Sequence, residues 1–245
     1  MEIEVYPERE RAELETYLGA HYDHSRLERW DAVLEEELAA IGDEQRLYRT
    51  SEAYLYNLTA FAMSGTKLPY LAEVARITPP GGRILDYGCG IGSDGLALAE
   101  AGFRVEFADF DNPSTRYLRW RLERRGIEGR IHDLDAGGPP DGFDTAFSFD
   151  VIEHVDDPFL FLAELERRAT TVVVNFLEPV PGETELHREL PIPSLLRRAD
   201  RGRILRYRIH HGRSHLISYQ TRPPGLAAGL RSQFALMSGR ARRKA

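Results

Sequence analysis

The sequence predicts an α/β protein whose core is a doubly wound, mostly parallel β-sheet, and three observations support this. From residue 83 onwards, short apolar runs suited to strands alternate with segments of helical periodicity. A turn with glycine at every second position joins the first strand to the first of these helices, and a long stretch of purely helical periodicity precedes them. Strands that alternate with helices of this length form parallel sheets with right-handed crossovers.

The first 78 residues are predicted to be a helical N-terminal extension. Apolar side chains recur there at steps of three and four, which places them on one face of a helix: Leu27, Trp30, Leu34, Leu38 and Ile41. The run Pro79-Pro80-Gly81-Gly82 cannot continue a helix and ends this region. We therefore expect the α/β domain to begin at residue 79.

Strands and helices then alternate up to residue 177. The predicted strands are 83–87, 103–109, 130–133, 143–149 and 170–177, and the helices are 93–101, 113–125 and 158–168. Asn112 is the predicted N-cap of the second of these helices. Segments 203–209 and 214–220 flank a short turn and predict a hairpin, which adds one antiparallel strand to the sheet.

The composition is that of a globular protein. Of the 245 residues, 42% are hydrophobic and 29% are charged, which is ordinary for a soluble domain. The single cysteine, Cys89, excludes an internal disulfide. No apolar run is long enough to span a bilayer, and the acidic N-terminus lacks the apolar segment of a signal peptide. We expect a cytoplasmic protein without a membrane partner.

Charge is distributed unevenly along the chain. The net charge is −7, yet the segment from Arg197 to the end holds thirteen basic residues and one acid, Asp200. Such a segment could meet nucleic acid, a phosphorylated substrate or an acidic partner. Alternatively, its arginines lie on a solvated surface and pair with the acidic part of the chain before them. Both interpretations stay open at this point.

The glycine-rich turn is the most informative motif. It contains Gly88, Cys89, Gly90 and Gly92. Glycine in such a turn lets the backbone adopt positive φ and lets a ligand approach the main chain. The dinucleotide pattern Gly-x-Gly-x-x-Gly is not met, because Ser93 stands at its third glycine position. Asp86 lies near the end of the preceding strand, before the first glycine, where an anion would repel a pyrophosphate but suits an ammonium group.

This segment resembles motif I of the class I S-adenosylmethionine-dependent methyltransferases, in which an acidic residue precedes x-Gly-x-Gly-x-Gly. The resemblance extends over about residues 80 to 220. It implies a Rossmann-like, seven-stranded sheet and S-adenosylmethionine as the cofactor. Together with the helical periodicity of the first 78 residues and the basic C-terminal segment, it leads us to expect a helical lid (1–78), a methyltransferase domain (79–222) and a basic C-terminal tail (223–245).

The resemblance also assigns roles to residues at successive strand ends. Asp109 matches the acid that accepts hydrogen bonds from both ribose hydroxyls, and Phe110 is expected to pack near the adenine. Asp133 and Leu134 match the position that contacts the adenine amino group, although Asp135 could serve instead. The segment from Asp150 to Val155 matches the part of the chain beside the cofactor. The implied cofactor-binding residues are Asp86, Gly88, Cys89, Gly90, Gly92, Asp109, Phe110, Asp133, Leu134 and Asp150.

The methyl acceptor is predicted by elimination. Methylation at C5 of a pyrimidine requires a cysteine nucleophile, and Cys89 lies in the glycine turn. The Asn/Asp-Pro-Pro-Tyr/Phe turn of well-known amine methyltransferases is replaced here by Asp150-Val151-Ile152-Glu153. We therefore expect transfer to an oxygen or nitrogen, less readily a carbon, of a small molecule.

A hydroxyl acceptor also needs a general base, and the candidates are His154 and His187. No metal site is predicted, because the polar cluster after the fourth strand lacks a recognised ligand spacing. The net charge and the lack of a recognisable RNA-binding module disfavour nucleic acid as the acceptor. A catalytically silent cofactor-binding scaffold is a further alternative. The acceptor, and whether the chain forms a homodimer, are left open.

Overall fold

The computed structural model describes residues 3–178, 180, 187–201 and 203–221. The helices are α1 (Pro7–Leu18), α2 (His24–Glu28), α3 (Trp30–Ile41), α4 (Glu44–Thr50), α5 (Ala53–Ser64), α6 (Leu68–Ile77), α7 (Ser93–Glu100), α8 (Pro113–Arg125), α9 (Pro158–Arg168) and α10 (Ile192–Ala199). The strands are β1 (Arg83–Tyr87), β2 (Arg104–Asp109), β3 (Ile131–Asp133), β4 (Phe143–Ser148), β5 (Ala169–Leu177), β6 (Ile204–His210) and β7 (Ser214–Gln220). Short 3-10 turns occupy Gly19–His21 and Ile152–His154.

The strands form a seven-stranded sheet in the order β3-β2-β1-β4-β5-β7-β6. β4 runs parallel to β1 and β5, whereas β7 runs antiparallel to both β5 and β6. The predicted fold class is therefore confirmed, including the single antiparallel strand. The helix α10 was not predicted, because its apolar positions extend over only eight residues and follow a proline-rich segment.

Local sequence explains where the helix α8 begins and ends. The side chain of Asn112 accepts from the backbone N–H of Thr115, and the Thr115 hydroxyl accepts in return from the backbone N–H of Asn112. This reciprocal capping box satisfies two of the N–H groups that a helix start leaves unpaired. Gly126 ends the helix in the left-handed region at φ 62°. The predicted N-cap is confirmed.

The chain divides into two compact units, and the first comprises Met1–Ala75 and Gly88–Pro139. Its hydrophobic core combines residues of the N-terminal helices with Ile91 of the glycine turn and Tyr117 of α8. The contributions of the N-terminal helices are Leu14, Leu27, Leu55 and Tyr56. The helical extension thus shares one core with the glycine turn and with α8.

A buried ion-pair cluster holds α1 against α8. Glu10 and Glu13 of α1 accept from Arg121 at 2.5 and 2.8 Å and from Arg125 at 3.0 and 2.7 Å. The side chain of Arg121 is fully buried and also donates to the backbone oxygen of Ile91 at 2.9 Å. Each buried charge therefore has oppositely charged partners, which offsets the cost of removing it from water.

Among the described residues, the second unit comprises 76–87 and those between 140 and 221. Glu166 of α9 collects several donors there: Arg198 at 2.7 Å, Arg203 at 3.4 Å and the hydroxyl of Tyr219 at 3.2 Å. These two arginines of the basic C-terminal segment thus pair with an acid within the fold. The predicted basic tail, 223–245, lies outside the described residues. Within the described part of the chain, no helix is both long and apolar enough to cross a membrane.

Candidate cofactor and acceptor site

The glycine turn of the first unit is built from backbone that only glycine adopts readily. Gly88, Gly90 and Gly92 have φ values of 76°, 51° and 72°, in the left-handed region. The N–H groups of Gly88 and Cys89 donate to the carbonyl of Ala108 at 2.8 and 3.2 Å. These bonds fix the turn to the end of β2, next to Asp109.

Close packing adds a second reason for two of these glycines. A Cβ atom on Gly90 would approach Cδ1 of Leu58, a residue of α5, to 2.8 Å. A Cβ atom on Gly92 would collide with the side chain of Leu118 in α8. The sequence predicted that these glycines make room for a ligand, and the structure shows that neighbouring helices also need the space.

Asp109 is oriented by two backbone amides. Its Oδ2 accepts from the N–H of Gly90 at 2.8 Å, and its Oδ1 accepts from the N–H of Phe110 at 2.7 Å. A carboxylate has about four lone-pair positions, so roughly two remain for further donors. Burial raises the pKa of Asp109, while the two amide hydrogen bonds and the charge of Arg49 limit that rise. The carboxylate is thus prepared to accept hydrogen bonds from two neighbouring hydroxyls.

The segment after β3 lies close to this acid. The N–H of Leu134 donates to the carbonyl of Asp109 at 3.0 Å. The Oδ1 of Asp133 accepts from the N–H of Asp135 at 3.0 Å and so shapes its own turn. The carboxylate of Asp135 instead binds Arg49 of α4. The two acids between which the sequence could not choose therefore have different partners.

Asp150, in the second unit, is held by side chains that are distant in sequence. Its backbone has φ 55°, a left-handed conformation that few residues other than glycine adopt. The buried side chain of Asn175 in β5 accepts from the N–H of Asp150 at 2.9 Å and donates to its carboxylate at 2.7 Å. The same amide donates to Ser214 of β7 at 3.1 Å. Sequence reasoning missed Asn175, for which the only available signal was a polar residue in a buried strand.

Asp86, the other acid assigned to cofactor binding in this unit, is the fourth residue of β1. It is buried and lies in register with Phe147 of β4. A carboxylate inside a sheet that is otherwise apolar at this register is costly to bury unless it has partners. Its position one residue before the end of the strand is the one that the sequence predicted.

The two predicted base candidates come together. The ring centroids of His154 and His187 are 5.1 Å apart, in an edge-on arrangement. Glu153 is buried beside them, and one ligand atom from each of the three residues lies within 4.8 Å of the others. The N–H of Arg188 donates to the carbonyl of Glu153 at 3.0 Å. This bond holds the segment that carries His187 next to the 3-10 turn that carries His154.

A carboxylate and two imidazoles at this spacing could hold a divalent metal ion. The sequence did not single out this set, because the motif that it considered lay within 150–157 and left out His187. The absence of a metal stays a prediction. The same groups, without a metal, can accept and relay a proton.

A polar chain in the second unit is centred on His215. This histidine of β7 is only 3% exposed. Its Nδ1 lies 2.5 Å from the hydroxyl of Tyr207, and its Nε2 lies 2.8 Å from the carboxylate of Glu178. It is buried because it occupies a strand, β7, that is covered on both faces and not the turn of the hairpin.

Comparisons with known proteins agree with this geometry. Residues 61–178 match the family model described as a methyltransferase domain. The ubiquinone biosynthesis O-methyltransferase of Xanthomonas campestris pv. campestris (strain B100) is 29% identical over 129 residues, covering 49% of this chain and 53% of that protein. The cypemycin N-terminal methyltransferase of a Streptomyces species is 37% identical over 115 residues, covering 44% of this chain and 43% of that protein. The chain thus spans about half the length of these relatives.

A solved structure shows the same fold. The magnesium protoporphyrin IX methyltransferase of Synechocystis PCC 6803, determined with bound SAH, is similar with a TM-score of 0.56 at 16% identity, covering 84% of this chain and 99% of that chain. Together, these findings show that residues 61–178 match a methyltransferase domain and that the chain has the fold of that solved structure. The family and the cofactor class predicted from the sequence are confirmed.

Proposed function

We propose that this chain transfers the methyl group of S-adenosylmethionine to an oxygen or nitrogen atom of a small molecule. The observation that carries the proposal is Asp109. Its carboxylate is fixed by the amides of Gly90 and Phe110, and it keeps lone pairs for the two hydroxyls of a ribose.

The residues of the first unit fit the nucleoside part of this cofactor. The glycine turn offers a backbone without side chains at three positions, and Asp109 supplies paired acceptors at its end. We assign Phe110 to the adenine face and Asp133 and Leu134 to the adenine edge. Asp86 and Asp150 are assigned to the amino-acid part, because a carboxylate favours an ammonium group nearby.

When bound, S-adenosylmethionine supplies an already activated methyl group on a sulfonium centre. The protein then has to hold the acceptor in line with that group and to exclude water. For a hydroxyl acceptor, one imidazole of the His154–His187 pair takes the proton as the new bond forms. For an amine acceptor that is already neutral, no base is needed in that step.

Small molecules are the proposed acceptors, and the curated relatives support both candidate atoms. One is named as an O-methyltransferase of ubiquinone biosynthesis and another as an N-terminal methyltransferase of cypemycin. The helices of the N-terminal extension are proposed to cover the acceptor. A cytoplasmic location stays a prediction.

The test is an acceptor screen with methyl-labelled S-adenosylmethionine. The panel holds phenols, carboxylic acids, primary amines, peptides with a free N-terminus and a structured RNA. We expect label on a small molecule or short peptide, and a loss of that label in Asp109→Ala. Label on the RNA alone would overturn the proposal. Binding of S-adenosylhomocysteine without transfer to any panel member would favour a silent scaffold.

A further inference from the structure

Arg49 extends from the last turn of α4 across the ring of Phe110. Its guanidinium carbon lies 4.2 Å from the centroid of that ring. Its two terminal nitrogens donate to the two carboxylate oxygens of Asp135, at 2.5 and 3.3 Å. The side chains of Arg49 and Asp135 are 41% and 54% exposed, so core packing does not force the contact. A planar cation of the N-terminal extension therefore lies on the aromatic ring that follows Asp109.

Three carboxylates of the same unit act on this guanidinium. The pKa of Arg49 is raised by its hydrogen bond to Asp135 and by the charges of Asp133 and Asp109. Exposed ion pairs contribute little to the stability of a fold, because solvent screens them and two long side chains lose freedom. The arrangement is thus better explained by a ligand that uses it than by a need of the fold.

The chemistry of the pair suits an adenine ring. Guanidinium groups are flat and weakly hydrated, and they stack on aromatic faces. Nucleobases stack in proteins on phenylalanine rings and on arginine planes. The main chain of Phe110 is fixed beside Asp109, because its backbone N–H donates to that carboxylate at 2.7 Å. An adenine whose ribose is bound by Asp109 therefore lies within reach of the neighbouring Phe110.

Resting on the proposed function, we propose that Arg49 is a cofactor-binding residue supplied by the N-terminal extension. The adenine enters between the ring of Phe110 and the guanidinium of Arg49 once the guanidinium has moved away from the ring. The stem of Arg49 is flexible and partly exposed, so it can lift from the ring by rotation. The extension then belongs to the nucleoside site, and the cofactor should order α4.

The test is calorimetry of the full chain with S-adenosylhomocysteine and with methylthioadenosine, which lacks the amino-acid part. Arg49→Ala is expected to weaken both ligands by the same factor, about ten-fold, because one stacking cation is lost. Arg49→Lys should recover only part of the loss, since an ammonium group has no plane. Arg46→Ala is the matched control: it removes the same charge from the exposed side of the same helix and should stay within about two-fold.

Hydrogen exchange of residues 44–50 supplies a second readout. S-adenosylhomocysteine should slow exchange there in the wild type and in Arg46→Ala, but not in Arg49→Ala. Equal affinities for Arg49→Ala and Arg46→Ala would overturn the inference, and so would tighter binding by Arg49→Ala, which would show that the guanidinium blocks the ring. If the wild type binds neither ligand, the proposed function itself is wrong.

Discussion

The acids Asp109 and Asp150 are held in two different ways. Asp109, in the first unit, is fixed by backbone amides of its own neighbour Phe110 and of the glycine turn. Asp150, in the second unit, is fixed by the side chain of Asn175, which lies in another strand 25 positions away. Backbone amides are present at almost every residue type, whereas a side-chain partner depends on which residue occupies its position.

The difference determines how each acid depends on the residues around it. A nucleoside site made of backbone and one carboxylate can be kept while the surrounding residues change. The groups of the second unit depend on particular side chains, namely Asn175 with Asp150, and His154 with His187. We therefore expect variants at Asp109 to change the binding of the cofactor nucleoside, and variants at His154 and His187 to change transfer to the acceptor.

The largest expected effect concerns the ion-pair cluster that joins the N-terminal extension to the first unit. Glu13→Gln should lower the free energy of unfolding by up to roughly 3–5 kcal/mol, because Arg121 and Arg125 lose one of the two buried carboxylates that balance their charges. Glu8→Gln, on an exposed position of the same helix, should change it by about 0.5 kcal/mol or less. Denaturant unfolding measures both. Equal effects would mean that α1 is not anchored by these charges.

The ion-pair cluster also makes the stability of the fold depend on pH. Burial acts to raise the pKa of Glu13, but hydrogen bonds and charges from Arg125 and Arg121 outweigh it, so the pKa lies below its ordinary value. The stabilisation is therefore present above the unfolded pKa of about 4.3 and is lost as the pH falls through the lower folded value. Deleting residues 1–45 would remove Glu10 and Glu13 and leave Arg121 and Arg125 without these two countercharges. Because such a deletion would also destabilise the fold, point variants are the better test of the lid.

The second prediction concerns the general base that takes the proton of the acceptor. If the acceptor is a hydroxyl, the base variant among His154→Ala and His187→Ala should lose about a hundred-fold in turnover while keeping its melting temperature and cofactor affinity. A histidine that only packs should show the reverse. His24→Ala, an exposed histidine of α2, serves as the control.

Metal analysis of the purified protein tests a second explanation, namely that the two histidines hold a divalent metal ion. A stoichiometric divalent ion that both histidine variants lose would contradict the prediction that the site works without metal. Turnover within a few-fold of wild type in both variants would mean that positioning alone, or another group such as Glu178, suffices.

The third prediction tests whether Asp150, unlike Asp109, depends on a side-chain partner. Asn175→Ala should cost about 1–3 kcal/mol of stability, because it leaves the amide of Asp150 without its acceptor in a strained conformation. Ser214→Ala removes only one contact of the same amide and should cost about 1 kcal/mol. Equal losses in denaturant unfolding would show that Asp150, like Asp109, is held without its side-chain partner.

The sequence predicted those parts of the molecule that depend on local pattern. The strand ends, the glycine turn and the N-cap Asn112 follow from periodicity and turn chemistry. The contact of His154 with His187, the burial of His215 and the stack of Arg49 on Phe110 could not be predicted. Each joins residues that are far apart in the chain, and one sequence carries no signal of such pairing.

Calorimetric titration with S-adenosylhomocysteine tests the central claim, that Asp109 anchors the ribose of the cofactor, most directly. Two hydrogen bonds to a charged acceptor are lost in Asp109→Ala, so affinity should fall by about ten-fold or more. Asp111→Ala, which removes an exposed carboxylate two positions away, should stay within about two-fold. Wild-type affinity should also fall as the pH drops through the raised pKa of Asp109, because the protonated group loses acceptor capacity. Equal affinities for Asp109→Ala and Asp111→Ala would contradict the account.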